Sequence, residues 1–286
     1  MKEWGEPERI AVVLKATKVT ALVIIPVLCA AFVILFFFPG RTDGLWAWTM
    51  KPDMTPITMG AGYLGGAWFF TRVALNKHPR RVAGGLGAAT IFTLLLGVAT
   101  FIHWEKFNYD HISFWAWLSL YVVSPVLLPI LALANWRAGA ADDEPADAAK
   151  IPAWARTMLA VVGGVTVVGA ATVFAAPSLA VETWPWTVTD LTARALSAYA
   201  AFTGLFLLTP LLDRRWTSVR IGIEAVTVGL VMTGIGALRA RDDLKGPDAS
   251  VVGFASTLLA LLAFVVYLQL RLSRPRNAAA VLRTGP

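Results

Sequence analysis

Two short segments hold most of the residues whose types and spacing suit binding chemistry. The first reads Pro39…Trp46-Ala47-Trp48-Thr49…Asp53-Met54-Thr55, the second Pro177…Trp184-Pro185-Trp186-Thr187…Asp190-Leu191-Thr192. Two indoles one residue apart in an irregular loop offer aromatic faces to an apolar or cationic ligand. Trp46, Trp48, Thr49 and Asp53 form one candidate ligand site; Trp184, Trp186, Thr187 and Asp190 form its counterpart, with Arg194 following. The competing explanation is structural. Tryptophan anchors chains at membrane surfaces, and Asp53, Thr55 and Asp190 suit helix N-caps.

A third segment runs from His103 to His111 and includes Glu105 and Asp110. Two imidazoles and two carboxylates within nine residues contain donors for a divalent metal. Their spacing matches no specific metal motif, so an ordinary polar loop is the alternative. Arg72, Arg194 and Glu224 are charges set near or inside apolar segments, positions that mark function or side chains reaching back to the surface. Arg220 and Glu224 are four residues apart, able to pair along one helix face. Neither P-loop, G-x-S-x-G, HExxH nor Rossmann fingerprint occurs, which leaves an enzymatic role little support, and the sequence indicates no cofactor.

These residues lie at the ends of apolar blocks. The 286-residue chain is 57% hydrophobic and 15% charged, with a mean hydropathy of +0.64. Its apolar residues fall into blocks about as long as a helix needs to cross hydrocarbon, roughly 20 residues. The predicted spans are Val19–Phe38, Pro56–Leu75, Gly84–Trp104, Ile112–Asn135, Thr157–Ala176, Leu191–Leu212, Ile221–Leu238 and Val251–Leu270. They define an all-α integral membrane protein of eight transmembrane helices. The net charge of +7 reflects 25 Lys and Arg gathered between spans, not a nucleic-acid surface. Only Arg41, Lys51, Lys106, Arg239, Arg241 and Lys245 lie on one side, and Arg194 lies inside a span; the others lie on the opposite side. That asymmetry places both termini in the cytoplasm of a multi-pass plasma-membrane protein. Cys29, the only cysteine, rules out an intrachain disulfide and reads as apolar filler.

The two W-x-W-T loops make the most specific pattern in the chain. They are offset by 138 positions, and by 137 from the following aspartate onward. Four spans separate them, so the halves share one orientation: two parallel four-helix repeats about a pseudo-two-fold axis along the membrane normal. The domains expected are a first repeat over 1–138, a cytoplasmic linker over 139–154, a second repeat over 155–276 and a tail over 277–286. The function expected is a transporter or binding protein for a small apolar or cationic molecule that uses the outer aromatic loops. The alternative is a non-catalytic scaffold or accessory subunit. Its expected partners are the lipid bilayer and another copy or membrane protein, with no nucleic acid.

Overall fold

The computed structural model describes residues 12–139 and 149–273. The N-terminal residues to 11, most of the expected linker and the expected tail lie outside them. Eight long helices occur among the described residues: α1 Lys15–Phe37, α2 Met54–Leu75, α3 Arg80–Ile102, α4 Ile112–Ala138, α5 Ala153–Ala175, α6 Asp190–Leu208, α7 Trp216–Arg239 and α8 Asp248–Leu272. All but α2 are long and apolar enough to cross a membrane, which makes this a multi-pass, all-helical membrane protein. Most helices extend a turn beyond the predicted spans because polar end residues, such as Arg80 and Arg81 on α3, satisfy the helix geometry outside the apolar stretch.

The packing explains why α2 is less apolar. It lies against α1 and α7 and also touches α6. Small residues and aromatics replace the aliphatics a lipid-facing helix carries, and Met54, Ile57, Tyr63 and Phe69 are all buried. Together α2, α3, α6 and α7 form the centre of the bundle. α1 packs on α2, α4 on α3, α5 on α6 and α8 on α7. Between lipid-covered helices, close backbone approach supplies the attraction that water exclusion supplies elsewhere. Gly163 and Gly204 show this where α5 meets α6. A Cβ on Gly163 would stand 2.8 Å from the Gly204 carbonyl oxygen, and one on Gly204 would stand 2.9 Å from that of Gly163.

Candidate functional site

Each W-x-W-T loop is preceded by a short helix, Thr42–Leu45 or Ser178–Thr183, and leads into a central helix. Trp46, Trp48 and Trp186 are buried, and Trp184 is half-buried. Trp48 packs edge-on against Trp117 of α4 at 4.8 Å and Phe107 at 5.2 Å, while Trp46 meets Tyr63. Trp186 packs edge-on against Phe254 of α8 at 5.4 Å and donates from Nε1 to Thr55 Oγ1 at 3.0 Å. The indoles pack into the bundle wall instead of forming one exposed surface. Thr49 and Thr187 are exposed, and neither lines a cavity that contains the indoles.

The expected caps are built differently. Asp53 makes no side-chain cap bond; the Met54 amide instead donates to Asp243, which arrives from the α7–α8 loop. On α6 the capping box belongs to Thr189 and Thr192, not Asp190. The long-range cap from Asp243 exists only because the helix ends meet, so local spacing gave no sign of it.

Polar clusters form at both helix-end meetings. Arg194 donates from Nε to the Phe174 carbonyl at 3.0 Å, and its Nη1 lies 2.7 Å from His103 Nε2. Arg239 donates to the Phe36 carbonyl at 2.6 Å. Burial, then the Arg194 charge, holds the His103 imidazole below its ordinary range, against the opposing pull of Glu105 and Asp190. The neutral ring then accepts from Arg194. Burial, then Asp243, raises the Asp53 carboxyl, with Arg239 opposing. His111 turns Nδ1 to Ser113 Oγ at 2.6 Å, and Glu105 and Asp110 are exposed. Among the described residues no group of three or more His, Cys, Asp or Glu is placed to hold a metal ion.

At the opposite end the structure joins residues that the sequence had left apart. Glu224 of α7, 9% exposed, takes Arg72 of α2 at 3.1 Å and Arg220 at 2.6 Å, and accepts from Trp68 Nε1 at 3.2 Å. The expected Arg220–Glu224 pair is present. The bond across to α2 makes it a helix-to-helix clasp.

A cavity of about 340 Å³ lies between α2, α6, α7 and α8. Trp184, Trp186 and Phe254 line one end, Tyr199 and Phe206 further parts of the wall, and Thr58, Thr203, Thr233 and Thr257 add hydroxyls. The lining carries no charged side chain. One polar atom of its walls, Trp184 Nε1, is buried without a hydrogen-bond partner. Gly62 makes room for the Tyr199 ring, whose edge overlaps the place a Cβ would occupy. The groove between α2, α3, α4 and α6 offers only about 30 Å³, because Tyr63, Phe92, Leu120 and Tyr121 fill it. At positions 137 further on stand Ala200, Gly229, Thr257 and Leu258. Of the lining residues the sequence reading named only Trp184 and Trp186; the exchange of bulky for small residues at positions 137 apart was a signal for the rest. No protein family, curated protein or solved structure matches this chain.

Proposed function

We propose that this chain is an eight-span plasma-membrane protein of two parallel halves, with both termini cytoplasmic, that binds or transports a small, largely apolar molecule. The cavity between α2, α6, α7 and α8 carries the proposal. Its volume falls in the range of small-molecule sites, and its aromatic walls hold a few polar groups, one of them, Trp184 Nε1, without a partner. The uncharged lining favours a neutral ligand with one hydrogen-bonding group over a cation. Trp184 and Trp186 are thereby part of the binding wall, while Trp46, Trp48, Thr49, Thr187, Asp190 and Arg194 support the helices around it.

Several observations support the two-half reading. Exchanging α1–α4 for α5–α8 maps the main contacts onto one another: α1 on α2 becomes α5 on α6, and α2 on α7 becomes α6 on α3. Trp48–Trp117 and Trp186–Phe254 are edge-on pairs at matching positions. The Phe36 and Phe174 carbonyls, 138 apart, each accept from an arginine. The scaffold reading draws support from α8, which packs mainly on α7 and buries only Val265 and Leu268, leaving a face for another copy or a membrane partner.

The test is tryptophan emission of the detergent-purified full chain titrated with 1-bromonaphthalene, a heavy-atom quencher. Saturable quenching that disappears in Trp184→Phe/Trp186→Phe is the expected result. Quenching that rises linearly and equally in both proteins would overturn the cavity as a binding site.

A further inference from the structure

We propose that a groove between the start of α5 and the α6–α7 turn binds the headgroup of an anionic phospholipid through Arg156 and Arg214. The groove, about 470 Å³, is lined by Arg156, Thr157, Ala160, Val161, Leu211 and Arg214. It stands apart from the cavity described above and depends only on the chain being a membrane protein.

Among the described residues, neither arginine makes a side-chain hydrogen bond or ion pair. The nearest carboxylate in sequence, Asp213, is occupied: it takes Arg215 at 2.6 Å and the Ser218 hydroxyl at 2.8 Å. Glu224 is held by Arg72 and Arg220. Two guanidinium groups facing one groove, with no counter-charge paired to them among the described residues, match a phosphodiester, whose oxygens accept the paired N–H groups of arginine.

The surroundings choose a lipid over a free anion. Trp154, 44% exposed and close to the Phe264 and Tyr267 rings, marks headgroup depth beside Arg156. From there Val161, Val165 and Val168 rise along α5 at 58%, 70% and 67% exposure, a continuous aliphatic track for an acyl chain. Leu211, 59% exposed, borders the groove from the other side and also lines a larger apolar hollow of about 530 Å³ between α3, α4 and α6. The arrangement also has a counterpart. Lys18 and Lys77 stand at the positions matching Arg156 and Arg214. The Val13 amide donates to the Lys77 carbonyl as the Ile151 amide donates to that of Arg214, at 3.1 and 2.9 Å. The chain crossing that presents the basic pair is thus built twice, and the second copy uses arginine at both places.

The experiment is native mass spectrometry of the purified full chain after exchange into micelles with phosphatidylglycerol or phosphatidylcholine, with a thermal-shift series in inorganic phosphate. Wild type should retain phosphatidylglycerol selectively. Removing one surface-level arginine should weaken retention about fivefold, and R156Q/R214Q on the order of 25-fold. R156K/R214K should keep selectivity at reduced affinity. Equal retention by wild type and R156Q/R214Q would overturn the proposal. So would stabilisation by inorganic phosphate equal to that by the lipid, which would make the site one for free phosphate. Selectivity that arises only in D142N/D143N/E144Q/D147N would also overturn it, assigning the arginines to the chain's own acidic segment.

Discussion

Filling the cavity between α2, α6, α7 and α8 tests both its role and the proposed relation between the two four-helix segments. Ala200 and Thr257 line it from α6 and α8; 137 positions earlier stand Tyr63 and Leu120, which line a groove of only about 30 Å³. In Ala200→Phe/Thr257→Phe, each added ring takes on the order of 100 Å³, together more than half of the 340 Å³. The remainder, about 140 Å³, is the size of an engineered cavity that accepts benzene. A naphthalene-sized probe is excluded. The Kd for 1-bromonaphthalene, read from tryptophan quenching, should therefore rise at least tenfold, about 1.4 kcal/mol. Stability should not fall. At roughly 24 cal/mol per Å³, filling about 200 Å³ regains at most about 5 kcal/mol, against about 1–3 kcal/mol for any neighbour forced aside. The melting temperature in detergent should hold or rise. Undiminished probe binding would refute the assignment of the site. A clear loss of stability would refute the claim that the space is empty and equivalent to the filled groove.

Three further outcomes follow from the packing. Glu224→Gln leaves Arg72 and Arg220 facing each other across α2 and α7 without their counter-charge; with the arginines 35% and 45% exposed, the loss should be about 1–3 kcal/mol, read by thermal unfolding. Gly163→Val drives a side chain onto the Gly204 carbonyl and should cost about 1–3 kcal/mol, whereas Gly164→Ala, whose Cβ meets nothing within 4 Å, should be nearly neutral. His103 has a folded pKa below its unfolded value near 6.5, so the unfolded chain binds the extra proton first. Its contribution is complete above about pH 6.5 and is lost as pH falls through the lower folded value, as His103⁺ faces Arg194. Melting temperature against pH should show this acid limb in wild type and lose it in His103→Gln.

Much of the fold was legible because membrane helices obey a composition rule. A helix facing lipid must be apolar over about 20 residues, and α1, α4, α5 and α8 announce themselves that way. The exception explains itself: α2 is surrounded by other helices, so packing and not lipid chose its glycines and aromatics. The recurrence of W-x-W-T was equally plain, because irregular loops with paired tryptophans do not arise from helix periodicity. The capping residues were not. Asp53 looked like an N-cap by position, yet Asp243 takes that amide from a loop 189 positions away.

The sequence by itself determined the helical membrane class, the positions of the apolar helices and the two W-x-W-T loops, since these depend on local composition and spacing. Only the tertiary structure decided that Trp46, Trp48 and Trp186 are buried in the bundle wall, that Arg72 and Glu224 form a clasp, that Arg194 meets His103, and that the groove between α2, α6, α7 and α8 is open while that between α2, α3, α4 and α6 is nearly filled. Each of these depends on which helix faces meet. In a lipid-embedded bundle that choice rests on a few small residues and on the volumes opposite them: Gly62 admits Tyr199, while Ala200 and Gly229 leave vacant what Tyr63 and Phe92 fill. Volume complementarity between distant segments leaves no periodic trace along the chain.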